Sequence, residues 1–349
     1  MASPEPDKAI PAADLPQRYI TLPAGTQFVE SLAHNPLVAA TSAFVPVTSA
    51  DPAVAGLYEV EIERGTCTRV CALDPGGNYV GSKLSDTGVC FICVDNRATI
   101  LAVDLNEAHP RARVIAQLPE GIEPNDLDLD QAGRRLFIAA NDQRFSPLTA
   151  RGQTLNTLQI HGWPGGSLWQ ASMDGEGTPR LVADDLGLLA GIAYLPKARK
   201  VWLSQLASLA YLDPERPGER GVLSPHDPRL FADNLRVDGD ELLFPFYRKV
   251  PSLVVEVMHR PWASRMLYRV ARWLPERAFG GTPPPGQAAD RFDDVCWGHY
   301  DTNTGVLRSL RLIPTNPNFD GHCTHVERVR ASLVFVNYLA SELLVVDAG

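Results

Sequence analysis

Residues 124–142 read PNDLDLDQAGRRLFIAAND. A short strand-like segment, PNDLDLDQAG, runs through a polar turn into a β-rich apolar run, RRLFIAAND. The same pairing recurs along the chain. The short segments are FVESLAHNP, YVGSKLSDTG, PNDLDLDQAG, LAGIAYLPKA, ADNLRVDGD and CTHVERVRAS. Each precedes a run rich in Val, Ile, Leu, Phe and Tyr and bounded by Gly, Asp, Asn or Pro: GLYEVEIERG, GVCFICVDNRATILAVDL, RRLFIAANDQ, RKVWLSQLASLAYL, ELLFPFYR and SLVFVNYLASELLVVD. Such runs favour strands, and helical periodicity is almost absent outside one stretch.

Aligning the apolar positions of the short segments puts Glu30, Val80, Asn125, Ala190, Asp233 and Thr324 in one column. They lie 50, 45, 65, 43 and 91 residues apart. A four-stranded propeller blade takes about 40–50 residues, so three steps fit directly and the two long ones carry insertions. One insertion is the polar FSPLTARGQTLNTLQIHGWPGG. The other, in the fifth blade at about residues 250–285, reads as helix from Ser252 to Arg277, interrupted near Pro261. Leu267, Val270, Ala271 and Leu274 share one of its faces, with Arg265, Arg269 and Arg272 elsewhere. That helix packs across the rim, lids the channel or touches a membrane surface. The fold class is therefore all-β, a six-bladed β-propeller. Residues 1–18 form an extension and 19–349 a single domain. RYITLPAG supplies the outer strand that the last blade lacks, which removes an open sheet edge.

Composition narrows the function. The chain of 349 residues is 45% hydrophobic with a net charge of −9, and it has no clustered basic face for nucleic acid. Neither a signal peptide nor a membrane-spanning run is legible, so the expectation is a cytoplasmic chain with a small-molecule substrate. Cys90 and Cys93 form a CxxC, yet on a strand positions three apart point to opposite faces, which makes them core residues. There is no G-x-S-x-G, P-loop or G-x-G-x-x-G after a strand. Ser224, His226 and Asp227 stand too close together in a polar loop to form a triad.

Inner strands of a propeller surround the central channel, so the column converges on one spot. There Glu30, Asn125 and Asp233, with Asn234 adjacent, offer two carboxylates and two amide carbonyls. Hard cations such as Ca²⁺ prefer that donor set. Beside Thr324, His325 stands as a candidate general base, with His322 three residues earlier. Asn141, Ala190, Thr324 and His322 are expected to line the substrate pocket.

The segments FVESLAHNP, PNDLDLDQAGRRLFIAAND and ADNLRVDGDELLF resemble those of the superfamily that contains gluconolactonase, senescence marker protein, paraoxonase and strictosidine synthase-like proteins. The resemblance runs from about Glu30 to Asp347. It implies a six-bladed propeller with a catalytic divalent ion in the channel, held here by Glu30, Asn125 and Asp233, with Asn234 beside them as in the paraoxonase-like pattern. Where metal-dependent relatives read P-N-G-I-A, this chain has Leu189-Ala190-Gly191-Ile192-Ala193, so one amide ligand is lost. The expected activity is hydrolysis of lactones or other esters, with His325, Asp233 and Glu30 as catalytic groups. Two alternatives stay open. One is a metal-independent, strictosidine synthase-like enzyme using His325 or Glu327, as the helical insertion after ELLFPFYR also suggests. The other is a binding propeller without turnover.

Overall fold

The structure is a computed structural model that describes residues 10–12, 14–142, 165–205, 209–222, 230–249, 266, 294–302, 307–315, 319, 323–337 and 341–348. Two short strands come first, β1 (Ile10–Pro11) and β2 (Gln17–Thr21), whose partners come last. The first blade is β3 (Ser42–Val47), β4 (Gly56–Glu61) and β5 (Thr66–Ala72). The second is β6 (Tyr79–Leu84), β7 (Val89–Val94), β8 (Thr99–Asp104) and β9 (Ala112–Gln117), and the third is β10 (Ile122–Asp130), β11 (Arg135–Asp142), β12 (Gly166–Ser172) and β13 (Arg180–Ala183). In the fourth run β14 (Gly191–Leu195), β15 (Lys200–Ser204), β16 (Leu209–Asp213) and β17 (Arg216–Val222). The fifth has a divided inner strand, β18 (Leu230–Ala232) and β19 (Arg236–Asp238), followed by β20 (Glu241–Lys249), β21 (Asp294–Asp301) and β22 (Leu307–Pro314). The sixth is β23 (Cys323–Val329), β24 (Ser332–Asn337) and β25 (Glu342–Asp347).

These six antiparallel sheets form a six-bladed β-propeller. The expected closure is present: β2 pairs antiparallel with β25, from Gln17 opposite Val346 to Thr21 opposite Glu342. Part of the expected extension also joins a sheet, since β1 lies parallel to β22. The helical insertion falls outside the described residues except for Met266, as do His322 and the Ser224–Asp227 loop.

Strand alternation sends each blade's two faces into different neighbours, and the core is accordingly a ring of inter-blade clusters. Val45 and Val60 meet Val334 and Val345 where blades one and six close. Phe91 and Cys93 pack against Leu127 and Ile138 between blades two and three, while Cys90 and Ile92 face the other way, toward Leu57. The two cysteines of the CxxC thus lie in separate clusters, both wholly buried, as the strand reading requires. Each such fully buried Val, Leu or Phe contributes about 1.5–3 kcal/mol.

The inner strands carry a common irregularity. Register slips between Tyr79 and Ser82 in β6, between Pro124 and Asp126 in β10, and between Cys323 and His325 in β23. In the fifth blade the break between β18 and β19 spans Asp233–Leu235. The first blade's inner segment touches β3 only at Phe28–Thr48 and Ala33–Phe44, leaving Glu30 between the two bridges. The sequence suggests a full strand there. The backbone instead leaves the ladder, and the Glu30 carbonyl bonds side chains across the ring. The aligned column thus falls, in five of the six blades, at breaks in the ladder.

Backbones in this ring touch. A Cβ on Gly191 would lie 2.6 Å from both the Asn234 Cα and the Asp233 carbonyl oxygen, so only glycine fits. Gly191→Ala is expected to cost about 1–3 kcal/mol through forced backbone displacement, read as a lowered denaturant midpoint with unchanged m.

Candidate active site in the central channel

Glu30, Asp233, Asn234 and Thr324 come together although they lie up to 294 residues apart. The Glu30 carbonyl accepts hydrogen bonds from Thr324 Oγ1 at 3.0 Å and from Asn234 Nδ2 at 3.3 Å. The Asn234 amide donates to the Thr324 carbonyl at 3.2 Å, and the Asp233 amide to that of Pro245 at 3.2 Å. Asn125 stands at the same break of the third blade's inner strand, its carbonyl close against Gly81 of the second.

The charges in this ring repel. Burial raises the Glu30 pKa well above the usual carboxylate value, and Asp233, Asp95 and Asp126 raise it further. Asp233 is raised for the same reasons, burial first and then Asp126, with partial relief from the Asn234 amide. Two amide oxygens, Asn125 Oδ1 and Asn234 Oδ1, are buried with no hydrogen-bond partner. Each such atom costs about 1–3 kcal/mol. Mutually repelling carboxylates beside unpartnered amide oxygens form an incomplete arrangement that an oxygen-seeking cation would complete. Among the described residues no three His, Cys, Asp or Glu side chains cluster as a metal site. The donor set here depends on its amides.

The other expected positions are placed as follows. Ala190 is buried, gives the ring no side-chain oxygen, and donates its amide to the Ser204 carbonyl at 2.9 Å. Both ends of the Asn141 amide are used on the preceding residue: Nδ2 donates to the Leu189 carbonyl at 2.8 Å, and Oδ1 accepts from the Leu189 amide at 2.9 Å. Asn141 therefore anchors the entry to β14.

His325 lies one layer further along the inner strands, wholly buried. Its Nδ1 is 3.2 Å from Arg236 Nη2, and because a guanidinium only donates, Nδ1 accepts and Nε2 carries the proton. Burial, then the Arg236 charge, lower its pKa to about 3. The ring is a neutral, enclosed hydrogen bonder, where residue type alone suggests a general base at the channel.

The sequence reading missed the group that organises this layer. Arg236, 1% exposed, has Nη1 3.2 Å from Asp126 Oδ2 and 2.6 Å from the Leu235 carbonyl, Nη2 3.2 Å from the Ser82 carbonyl, and Nε 3.2 Å from Glu327 Oε2. Burial opposes its charge, but Asp126, Glu327 and Asp128 outweigh that and raise its pKa. Asp126 Oδ2 also accepts from the Ile192 amide at 3.2 Å. Asp128 Oδ2 accepts from the Tyr194 amide at 2.7 Å, while its Oδ1 stands 3.5 Å from Lys83 Nζ. A guanidinium and an ammonium thus tie together the inner strands of blades two to six. The acid at every second position of β10, and an Arg where the fifth inner strand should face the axis, are the signals that would have found it.

No family model and no curated protein matches the sequence. Solved structures do match the fold. A gluconolactonase of Xanthomonas campestris is 16% identical, with 96% of this chain and 91% of that chain covered and a TM-score of 0.55. A calcium-binding regucalcin of Agrobacterium tumefaciens is 12% identical, with 93% of each chain covered and a TM-score of 0.55. A luciferin-regenerating enzyme is 10% identical, with 95% of each covered and a TM-score of 0.58. The fold is theirs. Among the described residues no helix is long and apolar enough to cross a membrane.

Proposed function

We propose that this chain is a hydrolase of lactones or other esters, working at the channel face where the inner strands begin, with a divalent cation such as Ca²⁺. The observation that carries this reading is the unsatisfied ring: Glu30 and Asp233 repel each other, and Asn125 Oδ1 and Asn234 Oδ1 lack donors. Those four side chains would hold the ion, with water in place of the amide that Ala190 does not supply. Bound there, a divalent ion supplies Lewis-acid polarisation of the substrate carbonyl and stabilises the oxyanion. Thr324, through the Glu30 carbonyl, and Asn234 fix the first-blade segment that carries the Glu30 carboxylate. Arg236 holds the strands beneath, so that little reorganisation is left for the reaction. The regucalcin and gluconolactonase likenesses favour the same reading.

The test is divalent metal content by elemental mass spectrometry before and after chelator, with hydrolysis of a lactone and ester panel followed in parallel. About one Ca²⁺ per chain is expected, with turnover lost on chelation and restored by Ca²⁺. A chain that takes up no metal from millimolar-order Ca²⁺, and hydrolyses nothing, overturns the reading.

A further inference from the structure

Asp95 opens the 3-10 turn Asp95–Arg97 that follows β7. Phe91 and Cys93 of β7 face the third blade, and the period of two continues to Asp95, since Val94 is still extended. The turn packs against β10. Because β6 and β7 are antiparallel, with Tyr79 opposite Val94, the end of β7 lies at the start of β6, on the face where the inner strands begin. Asp95 is thus half-buried on the face that carries Glu30 and Asn125.

Its carboxylate is held, and among the described residues no cation pairs with it. Asn78 Nδ2 donates to Asp95 Oδ2 at 2.5 Å, the Asn96 amide donates to Oδ1, and the Asp95 amide donates to the Asn78 carbonyl at 3.1 Å. The turn's cation, Arg97, is directed away to Asp74. From β10, Glu123 faces Asp95; on β7 beneath it lies the thiol of Cys93, and across the ring Asp95 acts on Glu30. Beside it, among the described residues, Asn78 Oδ1 is buried with no hydrogen-bond partner, an acceptor that a water could use.

Resting on the hydrolase reading, we propose that Asp95 is the proton-exchanging residue of the site, taking a proton from the attacking water and returning it to the departing alcohol. The water oxygen bonds to the carbonyl carbon as one O–H bond breaks, and its proton passes to an Asp95 carboxylate oxygen. The tetrahedral adduct then breaks its bond to the alkoxy oxygen, which leaves with that proton. Burial, reinforced by Glu123, lifts the Asp95 pKa to about 7 against the hydrogen bonds from Asn96 and Asn78, which suits a group that must both accept and release a proton near neutrality.

The ionised form is the active one, so kcat/KM should rise with pH along an acid limb that Asp95 sets, displaced below the metal-free value of about 7 by the bound cation. Asp95→Asn is expected to remove that limb and lower kcat about 10²–10⁴-fold, with Ca²⁺ still bound by calorimetry and its affinity only slightly weakened, since Asp95 reaches the proposed ligands through its charge alone. Asp95→Glu should retain a limb at reduced rate. Difference infrared titration of the full chain, freed of divalent metal by chelator, should show a carboxyl that ionises near pH 7 and vanishes in Asp95→Asn. An Asp95→Asn chain that keeps its rate and its limb, that loses Ca²⁺ binding, or whose wild type shows no such carboxyl, overturns this role alone. A wild-type chain that hydrolyses none of the panel overturns the hydrolase reading and this role with it.

Discussion

Asp233→Asn should abolish most turnover while making the metal-free chain more stable. The activity loss is expected to be on the order of 10²–10³-fold, the scale at which a single electrostatic stabiliser of an oxyanion is lost. Its cause would be loss of the carboxylate that, with Glu30, gives the ring its affinity for a cation. The stability gain follows from linkage. Glu30 and Asp233 have native pKa values raised by burial and by neighbouring acids, so the native state keeps protons that the unfolded chain releases near pH 4. Stability of the metal-free chain therefore falls as pH rises from about 4 through the raised native values. Asp233→Asn removes one of these groups and relieves the other, so its metal-free melting temperature should exceed that of the wild type by a few degrees at pH 8 and converge with it near pH 4. Saturating Ca²⁺ should reverse the order at pH 8, because only the wild type gains binding energy. Melting curves of both chains at the two pH values, with chelator and with Ca²⁺, check this. A wild type already more stable than Asp233→Asn in chelator at pH 8 would show that the two acids do not repel.

Arg236→Met should cost more stability than any change at the ring, about 3–5 kcal/mol, the usual result of stranding buried partners of opposite charge. Asp126 and Glu327 would lose their nearest cation, while His325 Nδ1 and the Ser82 carbonyl would each lose a donor. Arg236→Lys should recover only part, since one ammonium cannot reach four directions as a guanidinium fork does. Adding Asp126→Asn and Glu327→Gln to Arg236→Met should restore more than the lysine does. Denaturant midpoints of the four chains check this; a midpoint for Arg236→Met within about 1 kcal/mol of wild type would show the layer to be solvated and weakly coupled.

The contrast between these two layers explains what was legible in the sequence. The blades were readable because strand alternation between polar turns repeats at a spacing only a propeller satisfies. The RYITLPAG closure was readable because the last blade was one strand short. Glu30, Asn125, Asp233 and Thr324 could be aligned because each stands polar at the same phase of its segment. The ladder breaks behind that phase were not readable, since a bulge depends on which backbone groups find partners across the ring. Arg236 was missed because an isolated arginine in NLRVD looks like any solvated strand residue until its neighbours are in place. His325 was taken for a base because residue type announces a titration range while burial, which sequence does not state, sets the actual one.

The pairing of β2 with β25 joins residues 17–21 to residues 342–346. The other blades take their own strands from near neighbours in sequence, with only the short β1 added to the fifth from far away, so five of them can assemble as the chain leaves the ribosome. The sixth waits for its far end, and until then β2 has no partner and the first and sixth blades cannot share their cluster of valines. Closing so long a loop is slow relative to local pairing. During that interval the growing protein is an open arc with sticky edges at both ends, available to another copy or to a chaperone. The pairing that closes the ring and the joint that tension on it would load are therefore the same five-residue seam.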